Sequence, residues 1–333
     1  MALAVIKGIR ISGIVSVVPP ELEDNLNLDL LTAQEAEAII QHTGIRYRYI
    51  ASAEMRVGSL FRQAAGDLMG RLDWDKDSID VFVCVTQSPD QKLPSVSCRL
   101  HGEMGLPTSC LAFDINSGCS GFVYGLYTVS AILSGILKPG ARAILCCGDL
   151  SSRYTEPEDR SVRPVFSDAV SAIAIEKSTD SEEVTGYFNL QTEGSGWEAI
   201  RTDESDRYMR MNGIDVFNYS MRFVPQNVKA LFDFAQMNPD GLDMAVFHQA
   251  NRLINESIRK KIGIEPEKVA YTLYEYGNTG SATIPLSLGC AWKPEMEKSG
   301  WVLVSGFGVG FSMASGLIRF SPAVCLPPQK LLL

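Results

Sequence analysis

Four short stretches of the chain are apolar at every position rather than at alternate ones: 81–85, 143–147, 244–247 and 301–304. A strand with one wet face alternates with a period of two. Continuous runs of this length therefore predict strands covered on both faces, as in a parallel sheet between helices. The intervening stretches have helical character. Gly121 to Leu137 is apolar on several faces and stops before Pro139-Gly140, which predicts a buried helix. Ala250 to Ile262 places Leu253, Ile254, Ile258 and Ile262 on one face, which predicts an amphipathic helix. Strands alternating with helices predict an α/β protein. The segment Met1 to Lys7 lacks the basic start and small-residue cleavage site of a secretory leader and reads as a first strand. No apolar run approaches the length needed to span a bilayer.

The pattern repeats within the chain. Ser78-Ile79-Asp80 leads into a strand ending at Thr86-Gln87-Ser88, and Gly241-Leu242-Asp243 leads into one ending at His248-Gln249-Ala250. A strand and glycine-rich turn then follow in each half, Phe113 to Gly121 and Tyr274 to Ser281. Asp80 precedes Cys119 by 39 residues, and Asp243 precedes Asn278 by 35. The strands near 144 and 302 come next, and each half closes on small residues, 167–173 and 308–314. Four landmarks in one order predict a duplicated α/β unit. Cys119, His248 and Asn278 then all lie just past strand ends, where α/β sheets gather their ligand sites.

The composition, 46% hydrophobic and 21% charged over 333 residues, is that of a globular protein with a large core. A net charge of −9 argues against nucleic acid or an anionic membrane as general partners. Of eight cysteines, none forms a metal-like C-x-x-C pair. Cys84, Cys110, Cys146 and Cys147 lie in or beside apolar runs and read as small buried hydrophobes. With no leader in view, unpaired thiols and a cytoplasmic location are the expectation.

Cys119 is different. It lies in Ser-Gly-Cys-Ser-Gly between a predicted strand and a predicted helix, where a helix N-terminus lowers a thiol pKa and glycines allow close approach. Taken alone, this pattern suits a nucleophile and a structural cysteine about equally. Of three histidines, His42 and His101 read as surface or core-edge residues, while His248 ends a strand and can serve as a donor or base facing Cys119. Asn278, in Gly-Asn-Thr-Gly-Ser, suits either an ordinary turn or a carboxamide that stabilises an enolate. Gly306 to Gly310 suits either a loop or a backbone oxyanion hole.

Six segments, 44–51, 114–122, 211–217, 248–251, 276–282 and 306–311, resemble in order the ketoacyl-acyl-carrier-protein synthase III family across nearly the whole chain. The resemblance implies a thiolase-like five-layered αβαβα fold in two duplicated halves, 1–175 with the cysteine and 176–333 with the histidine and asparagine. It also implies a homodimer and a Cys119–His248–Asn278 triad. The implied reaction is a decarboxylative Claisen condensation in fatty-acid or related acyl biosynthesis. An acyl thioester, on CoA or acyl carrier protein, loads Cys119, and malonyl-acyl carrier protein then extends the acyl group. The N–H groups of Cys119 and of the Gly306–Gly308 region would hold the tetrahedral oxyanion, while His248 and Asn278 would hold the malonyl enolate. No metal or redox cofactor is implied.

Neighbouring families fit less well. The 306–310 loop lacks the second cysteine of thiolases, Gln87 stands where hydroxymethylglutaryl-CoA synthase has a glutamate, and Asn278 stands where elongating synthases have a second histidine. Transfer of the acyl group to an alcohol or amine, and a non-catalytic acyl-binding subunit, are the alternative functions. The intact His–Asn pair favours condensation, and retention of all three polar residues argues against a non-catalytic role.

Some positions depart from the family pattern. Residues 36–42 lack the tryptophan that stacks on CoA adenine, though Arg153 matches the stacking arginine and Arg46 the arginine near the CoA phosphates. Ser-Asp-Ala-Val-Ser-Ala at 167–172 replaces a glycine-rich segment and predicts added bulk at the site floor. Leu93 occupies the place of a phenylalanine that enters the partner's acyl pocket. Arg252, Lys260 and Lys261, beside Arg259, suit an ordinary solvated face, but the resemblance implies that this basic patch docks the acidic carrier protein, with Arg252 one residue displaced from the family's arginine.

Overall fold

The computed structural model describes residues 2–203, 206–293 and 300–332. In chain order, the strands of the first half are β1 (Ala2–Lys7), β2 (Ile9–Val18), β3 (Glu21–Asp24), β4 (Tyr47–Ile50), β5 (Ile79–Val85), β6 (Leu111–Ile115), β7 (Arg142–Asp149) and β8 (Ala169–Lys177). Its helices are α1 (Ala33–Thr43), α2 (Val57–Arg71), α3 (Val96–Met104) and α4 (Gly121–Gly135). There follow β9 (Val184–Thr192), β10 (Ile200–Thr202), β11 (Met209–Met211), α5 (Gly213–Ala235), β12 (Met244–Phe247), α6 (Arg252–Ile262), α7 (Leu273–Tyr276) and α8 (Thr283–Ala291). The last strands are β13 (Gly300–Gly308), β14 (Ser312–Phe320), β15 (Val324–Cys325) and β16 (Gln329–Lys330).

The duplication is visible in the sheets. One runs β15-β2-β8-β7-β5-β6, with β16 also on β2, and the other runs β1-β9-β14-β13-β12. In the first, β2, β8 and β7 pair antiparallel while β7, β5 and β6 pair parallel. In the second, β9, β14 and β13 pair antiparallel and β13 and β12 pair parallel. Both sheets are thus mixed, where continuous apolar runs suggest parallel ones. Burial of both faces, rather than strand direction, sets those runs. The outermost strand of the second repeat is reduced to one parallel bridge between Ala245 and Val269. Residues 273–276, expected to be extended, form the single turn α7. The ends of the chain cross over: β1 pairs with β9 in the second half's sheet, and β15 and β16 pair with β2 in the first half's sheet.

The apolar side chains divide into three cores that separate five layers. In β5, Val81, Val83 and Val85 point inward to α4, into one core with Phe122 and Val129 of that helix, Ile284 and Leu288 of α8, and Val246 and Val304 of the far sheet. Phe82 and Cys84 point to the other face, against Leu60, Phe61 and Val96 of α2 and α3. On the far sheet, Phe247 and Leu303 pack on Val224 and Val228 of α5 and Ile258 of α6. Helix α4 is apolar around most of its circumference because it lies between two sheets. In α6, Ile254, Ile258 and Ile262 are buried as the spacing predicts, whereas Leu253 faces out and is 56% exposed. Among the described residues no helix is long and apolar enough to cross a membrane.

Candidate functional site

The nucleophile candidate sits where the two halves touch. Strand β6 ends at Ile115 and α4 begins at Gly121, so Cys119 lies in the tight connection, closed by the Gly121 N–H donating to the Gly118 carbonyl at 2.7 Å. The hydroxyls of Ser120 and Ser312, 2.7 Å apart, link this connection to the start of β14. The end of β13 runs directly over it. A Cβ on Gly306 would fall 2.8 Å from the Cys119 carbonyl oxygen, and one on Gly308 would fall 2.8 Å from Cys119 Sγ. Gly308 also has φ +152°, so both space and backbone demand glycine there. For Gly308→Ala we expect Cys119 acylation to slow by about 100-fold, through displacement of the sulfur, read as the rate of adduct formation by intact mass.

Burial pushes the Cys119 thiol up to about 11. The N–H groups of Val309 and of Cys119 itself favour the thiolate, while the Asp149 carboxylate opposes it. The expected lowering at a helix N-terminus is therefore overturned. Burial, to which the apposed β13 contributes, sets the direction of the shift. Alkylation of Cys119 by iodoacetamide should climb about tenfold per pH unit from pH 7 to pH 10, because only the thiolate reacts. Peptide-resolved mass spectrometry separates this from the exposed Cys98. Levelling near pH 8.5 would contradict the buried environment.

His248 follows β12, its backbone N–H donating to the Ser305 carbonyl at 2.8 Å. Its ring stands edge-on to Phe307 at 5.7 Å, and Nδ1 lies 2.9 Å from Thr283 Oγ1. Burial lowers its pKa to about 3 against a hydrogen bond to the Gly280 carbonyl, so the imidazole is neutral at physiological pH. The Thr283 hydroxyl also lies 3.0 Å from the Gly280 carbonyl. When that hydroxyl donates to Nδ1 instead, the ring no longer donates to Gly280, its single proton sits on Nε2, and Nε2–H can donate to a substrate.

Asn278 is held by its backbone. Its N–H donates to Val165 O at 3.0 Å and its carbonyl accepts from Ser167 N–H at 2.9 Å. Its side-chain oxygen accepts from Gly280 N–H at 3.0 Å, which orients the carboxamide and leaves its NH2 directed away from that bond. The three residues meet through shared neighbours. Gly308 abuts Cys119, Phe307 abuts His248, and a Cβ on Gly121 would lie 3.3 Å from Ser281 Cβ, three residues beyond Asn278.

Models of the 3-oxoacyl-[acyl-carrier-protein] synthase III family match residues 113–194, and models of its C-terminal part match residues 232–320. A Rhodopirellula baltica protein named beta-ketoacyl-[acyl-carrier-protein] synthase III is 32% identical, over 95% of this chain and 99% of its own. The chain belongs to the 3-oxoacyl-[acyl-carrier-protein] synthase III family. It is an enzyme of that type. The crystal structure of a 3-oxoacyl-(acyl-carrier protein) synthase from Burkholderia xenovorans superposes with a TM-score of 0.93 at 30% identity, covering 99% of both chains. The 3-oxoacyl-(acyl carrier protein) synthase III of Pseudomonas aeruginosa superposes with a TM-score of 0.86 at 28% identity, covering 95% of this chain and 99% of its own.

The remaining residues that resemblance to this synthase family singles out are placed as follows. Arg46 pairs with Asp24 at 3.1 Å and donates to the Tyr274 hydroxyl at 3.2 Å. Arg153 donates to the carbonyls of Ser52, Ala53 and Met55. Leu93 is 87% exposed. On α6, Arg252 and Lys260 are exposed, and Lys261 donates to the Met221 carbonyl at 3.0 Å. Arg259 is drawn out of the basic face by Glu256, at 2.9 Å, and by the Ile264 carbonyl. A cavity of about 470 Å3 lined by Ile40, Gly44, Arg252 and Tyr274 lies between α1, α6 and α7. Of the bulk expected at the site floor from 167–172, the Val170 side chain is directed away, while Ala169 packs with Ala282 and Leu286 beside the Asn278–Ser281 turn. Residues 170, 172 and 174 of β8 face α2, whereas Ala169, Ser171, Ile173 and Ile175 lie on the opposite side.

Three residues escaped the sequence. Val309, rather than Gly306 or Gly308, turns its N–H to the Cys119 sulfur, and Thr283 supports the His248 ring. Asp149 is buried beside the site at the end of β7. Its signal was a charged residue closing an apolar run at a strand's C-terminal end.

Proposed function

We propose that Cys119 takes an acyl group from a thioester and that the acyl carbon is then joined to the malonyl unit of malonyl-acyl carrier protein. Condensation in fatty-acid biosynthesis is the activity of the family to which the chain belongs. The observation that carries the assignment to these residues is a buried thiol under the Val309 N–H, with a neutral imidazole and an oriented carboxamide on the facing loops. In the first step the Cys119 sulfur attacks the thioester carbonyl, the old C–S bond breaks, and the Cys119 proton leaves with the released thiol. The N–H groups of Cys119 and Val309 hold the oxyanion. In the second step the malonyl carboxylate leaves as CO2, and its bonding pair forms an enolate held by His248 Nε2–H and the Asn278 NH2. The enolate carbon attacks the acyl carbonyl, a C–C bond forms, and the Cys119 C–S bond breaks. The sulfur then takes one proton from solvent. Nothing in these steps requires a metal or redox cofactor.

Primer delivery on acyl carrier protein is favoured over CoA. The two guanidinium groups that would clamp a nucleotide are already engaged by the protein itself, Arg46 by Asp24 and Arg153 by three backbone carbonyls. Phosphopantetheine carries no adenine and needs neither. Arg252, Lys260 and Lys261 would dock the acidic carrier protein, and a second copy of the chain would cover Leu93 in a homodimer. Lys260→Glu should raise the KM for malonyl-acyl carrier protein about tenfold while leaving kcat nearly unchanged, measured by steady-state CO2 release.

The test is a panel of acyl-CoA and acyl-carrier thioesters followed by intact mass. The expected result is a Cys119 adduct, faster from the carrier, that disappears on addition of malonyl-acyl carrier protein as CO2 and a 3-oxoacyl product appear. Failure of every thioester to label Cys119 would overturn the assignment, and an adduct discharged only by an alcohol or amine would replace condensation with transfer.

A further inference from the structure

Asp149 is 4% exposed and lies at the C-terminal end of β7. One carboxylate oxygen, Oδ1, accepts from Thr86 Oγ1 at 2.9 Å, Gln87 N at 2.6 Å, Ser88 N at 3.1 Å and Ser88 Oγ at 3.2 Å. All four donors belong to the segment that follows β5 in the first half. The other oxygen, Oδ2, faces the second half. It lies 3.4 Å from Ser281 Oγ and 3.1 Å from the place a Cβ on Gly280 would occupy. Gly280 is the residue whose N–H orients the Asn278 carboxamide and whose carbonyl meets the His248 ring. Two of the donors are backbone N–H groups, which can only donate, so the bonding pattern suits the ionised carboxylate even in this buried place.

We propose that Asp149 is a positioning residue for the condensation step: its buried carboxylate joins the end of β5 to the Asn278–Ser281 turn and so sets His248 and Asn278 against Cys119. The proposal rests on the condensation reading above for its kinetic consequence, though not for its electrostatic one. Its charge bears on the titratable groups Cys119, Cys147 and Tyr154, and Arg153 acts on Tyr154 as well. Its charge opposes ionisation of Cys119, while its hydrogen bonds align the donors that stabilise the enolate.

The test uses Asp149→Asn in the full chain, which keeps an acceptor for the β5 donors and presents an NH2 that Ser281 Oγ can accept. Two changes are expected together. The midpoint for alkylation of Cys119 by iodoacetamide falls by about one pH unit, because a neighbouring negative charge is removed. The kcat for CO2 release from malonyl-acyl carrier protein falls by about 30-fold, with KM changed less than threefold, because the enolate donors lose their alignment. Ser281→Ala, which cuts only the link to the second half, should lower kcat by about fivefold without moving the Cys119 midpoint. It keeps the proposal testable if Asp149→Asn fails to fold. An unchanged kcat in either folded variant overturns the proposal. So does a lowered kcat in Asp149→Asn with an unmoved Cys119 midpoint, which would mark a general packing defect. If no thioester ever labels Cys119, the condensation reading fails by itself, and the alkylation midpoint still reports whether Asp149 bears on that thiol.

Discussion

Cys119→Ala is expected to abolish the acyl adduct and to lower condensation by about 10^4-fold or more, since the covalent route is lost entirely. The fold should survive the change. Alanine fills most of the space of a side chain that is 8% exposed, and the tight connection around it is held by the Gly121 to Gly118 bond and the Ser120–Ser312 pair, not by the thiol. Decarboxylation makes a different demand. The enolate donors belong to the loops after β12 and α7, which the substitution does not touch. Cys119→Ala should therefore keep slow CO2 release from malonyl-acyl carrier protein while forming no 3-oxoacyl product. Intact mass, CO2 release and product formation, measured on one preparation, separate the two half-reactions. Retention of the adduct in Cys119→Ala would move the nucleophile elsewhere.

The parts of the fold legible in the sequence are those whose burial is decided locally. The runs at 81–85, 143–147, 244–247 and 301–304 became β5, β7, β12 and β13 because each needs cover on both faces. The order of landmarks put Cys119 in the connection after β6 and His248 just past β12, as the structure has them, while Asn278 follows the single turn α7 rather than a strand. Features that depend on distant partners were not legible. Tyr274 and Tyr276 look like strand residues, yet they lie in a single helical turn whose rings pack on Tyr47 and Tyr49 of β4 at 5.8 and 5.7 Å. The direction of Val170 depends on the parity of β8, and one residue of register decides whether its bulk meets α2 or the site. The Cys119 pKa is the clearest case. Its own segment carries the helix end that lowers a thiol pKa, but burial raises it, and part of that cover is Gly306 and Gly308, nearly two hundred residues away. Arg259 shows the same limit on a smaller scale, because a basic run in the sequence does not reveal that Glu256 will capture one of its members.

His248→Ala and Asn278→Ala should each produce the complementary defect: Cys119 becomes acylated, and the adduct then persists. Each would remove one of the two donors proposed for the enolate oxygen, and loss of such a donor costs about 10^2- to 10^3-fold in kcat. The two should not multiply in the double variant, because a single remaining donor already fails to support the enolate. The pH profile distinguishes donor from acid. A histidine acting as a cation would lose activity as pH rises through its pKa, whereas His248, with its pKa lowered to about 3, is already neutral across the working range. The malonyl step should thus show no histidine titration between pH 5 and pH 8, and protonation of the ring would begin only on approach to pH 3. An alkaline loss of CO2 release with a midpoint near 6.5, present in the wild type and absent in His248→Ala, would mean that the ring works as imidazolium. The edge-on contact with Phe307 and the bond to Thr283 argue for the neutral ring, since both sit in a pocket that excludes the water a cation needs.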